Sequence, residues 1–185
     1  MKVVIITPME IEQERVLDAL LSFTNLNHNY KVVVAGIGRE SMAKAFMNLP
    51  HHDIAILMGF AAIVGKQNDL PSNLGFGKPV EITHSSLYGY QGDIFENGAP
   101  IIAEPKTKLP SLASLTSDKF VRTSDLAQQT IINMEDYTFM FLKKQKDFIV
   151  RIISDFLPHE TEIDFFEEIK GINFVEAIKM VDESI

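Results

Sequence analysis

Apolar runs of strand length alternate along this chain with stretches whose apolar residues recur every three or four positions. Ile54 to Met58 is a continuous run that opens at polar Asp53 and breaks at Gly59, which predicts a strand buried on both faces of a parallel sheet. Ala61, Ala62 and Gly65 follow and let the backbone come close to whatever lies beyond the strand's carboxyl end, where open α/β sheets bind ligands. Val3 to Ile6, Lys31 to Ala35 and Phe148 to Ile153 predict further strands, the last with Arg151 inside it. Shorter ones are predicted at Val80 to Thr83, Ile101 to Ala103 and Thr130 to Ile132, and Phe120 and Val121 close another. Helical spacing is read after Met9, through Val16, Leu17, Leu20 and Leu21, and again from Ser41 to Leu49 and around Tyr137, Phe139, Met140, Phe141 and Leu142. A last helix begins near Thr161 with Asp164 as a cap partner, and Gly171 weakens its continuity. Tyr88 to Gly92 is turn-rich, and Pro105 to Ser117 predicts at most a short helix. The alternation predicts a three-layer α/β domain.

At 185 residues the chain fits one domain, residues 1–185, and its 46% hydrophobic content suits a folded protein. There is no cysteine, which excludes disulfides, thiolate catalysis and thiolate-bound metal. The opening MKVVIITPMEIEQE is too short in its apolar part for a secretory segment, and no run approaches membrane-spanning length, so cytoplasmic residence is expected. Net charge is −8, with no basic cluster denser than Lys143, Lys144 and Lys146. That pattern does not suit nucleic acid, and it leaves a small molecule or another subunit as the expected partner.

Three carboxylates share one structural description. Glu12 stands a few residues beyond the first strand, Glu135 just beyond Ile132, and Asp155 just beyond Ile153. At the ends of parallel strands such positions converge on one edge of the sheet. A buried Asp155 must be hydrogen-bonded or have a raised pKa. Acids with separated pKa values can divide a hydrolysis, one protonating the leaving group and the other activating water, which suits cleavage of a glycosidic bond. The plainer readings are first-turn charges for Glu12 and Glu135 and a backbone acceptor for Asp155. His28, His51, His52, His84 and His159 lack metal-binding spacing, so no metal is expected, and no serine lies in GxSxG. Gly36 and Gly38 follow a strand and can approach an anion closely, but the third glycine of a dinucleotide loop is absent, and no cofactor is expected. Arg39 reads as a solvated surface residue.

MKVVIITPMEIE, AGIGRESMA, DIAILMGFAA, TSDLA, NMED and VRIISDF occur in the order seen in the nucleoside phosphorylase and nucleosidase superfamily, which the chain resembles over nearly its whole length. The branch it most resembles is 5′-methylthioadenosine/S-adenosylhomocysteine nucleosidase. The resemblance implies a single three-layer α/β/α domain around a mixed, partly barrel-like central sheet, assembled as a homodimer or higher homo-oligomer. It implies that Glu12 activates water, that Glu135 holds the ribose hydroxyls with Met134 against the sugar, and that Asp155, with Ser154 beside it, protonates the purine at N7. Ala61 and Ala62 of the central loop and Gln128 are the other substrate contacts it implies.

Departures accompany the match. Asn133 stands where the family has an acid, Phe60 where it has a small residue, and Ala127, in the stretch Thr123 to Ala127, where a base-stacking aromatic is expected. The helix before Phe120 and another between Gln128 and Thr130 look reduced. The position before Gly59 is Met58, where the phosphorylase branches carry a phosphate-binding arginine, so water is the more natural acceptor and Arg39 the one cation that would reverse this. The resemblance therefore implies a purine nucleosidase of the methionine-salvage type. Its alternatives are a catalytically silent nucleoside-binding or subunit-forming relative, and a phosphate-dependent phosphorylase.

Overall fold

The computed structural model describes residues 1–89, 100–122, 126–159 and 164–185. In chain order they form β1 (Lys2–Thr7), α1 (Glu10–Leu21), β2 (Asn29–Val34), α2 (Arg39–Met47), β3 (Ile54–Val64), β4 (Pro79–Leu87), β5 (Ile101–Ile102), β6 (Ser111–Thr116), β7 (Ile131–Asn133), α3 (Asp136–Leu142), β8 (Phe148–Leu157), α4 (Phe165–Glu168) and α5 (Val175–Asp182). The Thr123 to Asp125 segment and the helix start expected near Thr161 lie outside the described residues, as does most of the turn-rich stretch after Tyr88.

β1 runs parallel to both β2 and β3, and β3 runs parallel to β8. Beyond β3 the sheet curls. β3 pairs with β7, β7 with β6, β6 with β4, β4 with β8, and β8 returns to β3, so five strands close a ring. The mixed, partly barrel-like sheet expected of the chain is therefore present. Closure removes the edges that a long apolar strand such as β3 would otherwise expose.

Helices cover two faces of this sheet. On one, Val16 and Ala19 of α1 and Ala177, Ile178 and Val181 of α5 pack with Ile5, Ile56, Met58 and Ile152. On the other, Met42 of α2 and Phe139 and Met140 of α3 pack with Ile6, Leu57, Ile149 and Ile153. Burial of this apolar surface is the main source of stability.

Several sequence expectations are corrected. β3 does not stop at Gly59 but continues to Val64, because Gly59 keeps strand geometry and serves a steric purpose described below. Pro105 to Ser117 holds no helix; it contains β6, whose sequence SLASLT has too few strongly apolar residues to read as a strand. Phe120 and Val121 belong to no strand. β8 passes through Ser154 and Asp155, so Asp155 lies inside a strand and not beyond one. The final helical stretch is broken: Asp164 is itself the N-cap of α4, accepting from Phe166 and Glu167, and a turn through Gly171 separates α4 from α5. On α1, Leu17 and Leu21 are exposed, and the buried stripe is Glu12, Val16 and Ala19. No helix among the described residues is long and apolar enough to cross a membrane.

Candidate active site

A cavity of about 290 Å³ opens where β3, β7, β8 and the start of α1 meet. Its lining includes Glu12, Glu135, Met134, Ser154, Asp155, Ala61 and Ala62, so seven of the eight expected site residues share one wall system. Gln128 does not line it. That side chain is exposed, and its Oε1 lies 2.6 Å from where a Cβ on Gly65 would stand, so it covers the strand end instead of facing the cavity.

Each acid arrives by a different route. Glu12 opens the buried stripe of α1, which turns its carboxylate onto β3. Its Oε1 accepts the Phe60 amide at 2.7 Å and its Oε2 the Met9 amide at 2.7 Å. Gly59 makes this possible: a Cβ there would stand 2.5 Å from Glu12 Oε1 and 3.0 Å from Arg151 Nη1. Glu135 arrives through an antiparallel strand, since β7 pairs Ile132 with Ala62 and runs back along β3. Convergence here therefore depends on ring closure, not on parallel strand ends alone. For Asp155 the device is a bulge. Ala61 faces Ile153 and Ala62 faces Asp155, leaving Ser154 as an extra residue in β8. In a regular strand neighbours point to opposite faces, whereas the bulge lets Ser154 and Asp155 both reach the cavity.

Arg151 binds the Glu12 side together. It is fully buried, donates from Nη2 to Glu135 Oε2 at 2.9 Å and from Nε to Asp136 Oδ1 at 2.8 Å, and reaches the Phe60 carbonyl from Nη1 at 3.3 Å. Three buried carboxylates thus surround one guanidinium. Burial pushes the Glu12 carboxyl up to about 7, against the opposing charge of Arg151 and the Phe60 and Met9 amides. Burial likewise raises Asp136, although Arg151 opposes it. For Arg151, burial would favour the neutral form, but Asp136, Glu135 and Glu12 outweigh it and hold the guanidinium charged. A group titrating near 7 is poised to take a proton from water. Sequence reasoning gave Arg151 no role, though a lone arginine in an apolar strand was the available signal.

The departures from the family pattern find structural explanations. Asn133 Oδ1 accepts from Thr116 Oγ1 and from the Glu135 and Asp136 amides, at 3.0, 3.0 and 2.7 Å. A neutral amide does this without adding a further charge beside Glu135 and Asp136. Phe60 offers its backbone to Glu12 and Arg151 while its ring packs edge-on against Phe174 and Phe165, at 5.1 and 6.0 Å between centroids. Ala127 is exposed and does not line the cavity, whereas Phe120 and Val121 do. Gly38, at φ +92°, donates its amide to Glu135 Oε1 at 2.9 Å, so the anion met at this glycine is the protein's own carboxylate. Arg39 donates from Nε to Asp118 Oδ1 at 2.7 Å, with Nη2 bonded to Oδ2, in a partly exposed ion pair. It does not line the cavity, and among the described residues no arginine does.

Beside Asp155 stand two partners. Ser154 Oγ donates to Oδ1 at 2.5 Å, and His159 Nε2 lies 2.8 Å from Oδ2. Among the described residues no cluster of three or more histidine, aspartate or glutamate side chains is arranged to hold a metal ion.

Comparison with protein-family models gives no match, and comparison with curated proteins gives none. Solved structures do match. MTAN of Chlamydia trachomatis with MTA bound is 16% identical, with a TM-score of 0.67 over 100% of this chain and 95% of that one. The 5′-methylthioadenosine/S-adenosyl homocysteine nucleosidase of Campylobacter jejuni is 18% identical, with a TM-score of 0.69 over 99% and 96%. A futalosine hydrolase mutant of Helicobacter pylori is 12% identical, with a TM-score of 0.65 over 100% and 96%. These likenesses bear out the fold expected from the sequence.

Proposed function

We propose that this chain, which has the fold of nucleosidases and nucleoside phosphorylases, hydrolyses the N-glycosidic bond of a purine nucleoside. The observation that carries the reading is the gathering of Glu12, Glu135 and Asp155 on one cavity by three separate devices: a helix stripe, a ring-closing antiparallel strand and a β-bulge. In this reading Asp155 protonates the base, and the sugar gains oxocarbenium character as its bond to nitrogen lengthens. Glu135 and Met134 hold the sugar. Glu12 draws a proton from the water that attacks the anomeric carbon. Ala61, Ala62 and Ser154 shape the walls between them.

Two features speak against the alternatives. The silent relative rests on Phe60, Ala127 and the reduced helices; against it, the Phe60 amide supports Glu12, and Phe120 puts an aromatic ring on the cavity wall. Phosphorolysis needs a cation for phosphate; Arg39 is engaged by Asp118, which leaves Lys119 as the cation on the cavity wall, and the phosphate dependence of base release decides between the two reactions. The substrates to test first are 5′-methylthioadenosine and S-adenosylhomocysteine, which would place the chain in methionine salvage in the cytoplasm. Self-association is part of the same proposal, because Ile37, Phe120 and Phe166 leave the cavity rim apolar and exposed. A sizing column that returned only monomer would remove that part.

The test is release of free base, with and without phosphate, from a panel of purine nucleosides that includes 5′-thio-substituted ones. Release without phosphate supports hydrolysis. Strict dependence on phosphate would replace it with phosphorolysis.

A further inference from the structure

The two hydrogen bonds on Asp155 come from groups of different kinds. Ser154 can orient the carboxyl group through its hydroxyl. Histidine, in contrast, is the side chain that ordinarily gains and loses a proton between pH 5 and 8. His159 sits in the turn just after β8, with Nε2 2.8 Å from Asp155 Oδ2. Both side chains are nearly closed to solvent, at 6% exposure for His159 and 9% for Asp155. The ring of Phe120 lies over the imidazole, 6.2 Å between centroids and tilted by 51°.

Among the described residues, the other charged groups around this pair are Arg122, Lys119, Glu12 and Glu135. The Arg122 guanidinium is 6.0 Å from the Phe120 ring centroid, Lys119 is exposed on the cavity wall, and Glu12 and Glu135 line the same cavity. Arg151 is committed to Glu135 and Asp136. An acid that gives up a proton in every turnover needs it restored, and His159 is the buried, hydrogen-bonded neighbour of Asp155 whose ring nitrogen can carry one.

We propose that His159 is a positioning residue that also keeps Asp155 supplied with its proton. The inference rests on the nucleosidase reading above. As the bond between C1′ and N9 breaks, its electron pair passes into the purine, which takes the carboxyl proton of Asp155 at N7. The imidazolium of His159 returns a proton from Nε2 to the carboxylate and is recharged from solvent. Water bonds to C1′, its released proton passes to Glu12, and Glu12 gives that proton to solvent. Atoms and charge balance with water as the sole co-reactant.

His159→Gln separates supply from support, because the amide still offers an N–H to Asp155 but cannot titrate. In the pH profile of kcat for base release, the parent is expected to lose activity on the alkaline side, where the acid is deprotonated. The variant is expected to lose it at lower pH and to turn over about tenfold more slowly at neutral pH, a fraction of the roughly 10²-fold that general acid catalysis supplies. KM and thermal midpoint should stay close to the parent's. Superimposed profiles would overturn the proton supply. A second readout needs no turnover: in spectra of ¹⁵N-histidine-labelled protein, an imidazole Nε2–H proton shielded from exchange should be present in the parent and lost in Asp155→Ala, which removes the acceptor. Its absence from the parent, or its survival in Asp155→Ala, would overturn the pairing. If no nucleoside released base, the hydrolytic reading and the proton supply would both fall, while the shielded proton would still decide the pairing.

Discussion

The two sides of the cavity are built on opposite principles. Around Glu12 and Glu135 the carboxylate oxygens are met by backbone amides or by Arg151, and all three side chains are buried. Around Asp155 the walls are aromatic and open, with Phe120 and Phe166 each 59% exposed. The first side is set in place before any ligand arrives, at the cost of holding three carboxylates around one guanidinium. The second has apolar surface left to cover, which a flat purine ring is suited to do. Charge fixes one side and shape the other, so substitutions should separate accordingly into effects on folding and effects on binding.

The largest effect is expected at Arg151. Arg151→Met leaves Glu135 and Asp136 buried without their counter-charge and should cost about 3–5 kcal/mol of stability, read by urea unfolding. A loss below about 1 kcal/mol would mean that the carboxylates are neutral or hydrated in the folded protein.

Next comes the proton on Glu12. The folded protein holds it up to about 7, whereas the unfolded chain releases it near 4.5. Stability from this group is therefore complete below about 4.5 and lost as pH rises through about 7, by at most roughly 3 kcal/mol. Activity should run the other way, rising through the same range as Glu12 ionises. Glu12→Gln should flatten the stability slope and abolish turnover. Parallel pH trends in stability and activity would contradict the assignment of Glu12 as the base.

Gly59→Ala follows, because its Cβ meets Glu12 and Arg151 at sub-contact distances. About 1–3 kcal/mol is expected, with loss of activity. Phe120→Ala should act on the other side, weakening purine binding by about 1 kcal/mol in calorimetry while leaving the unfolding midpoint nearly unmoved. The smallest effect belongs to Arg39→Ala, where a partly exposed ion pair is worth at most about 1 kcal/mol, and base release should keep its indifference to phosphate.

The same division explains what the sequence disclosed. The residues of the Glu12 side are marked by local patterns: an apolar run ending in a short turn before a helix, a glycine pair after a strand, and an acid opening α3, although ring closure is what carries Glu135 to the cavity. Those patterns are periodic, and periodicity can be read in one dimension. The role of Gly59 could not be read this way, because a glycine that ends a strand and one that admits a side chain from elsewhere look alike. The Asp155 side depends on long-range geometry. β6 is poor in strongly apolar residues, so Pro105 to Ser117 reads as at most a short helix, and nothing local to the sequence sets Phe120 on the cavity wall. The bulge at Ser154 and the return of His159 to Asp155 depend on β3 and on the chain beyond β8, neither of which marks the sequence locally.

The central claim is that one cavity carries out hydrolysis with Asp155 as the acid. The most direct test is base release from purine nucleosides without phosphate, comparing the parent with Asp155→Asn, with folding of both checked by thermal unfolding. The account predicts release by the parent and a loss of about 10²-fold or more in the variant. Equal release by both proteins would contradict it.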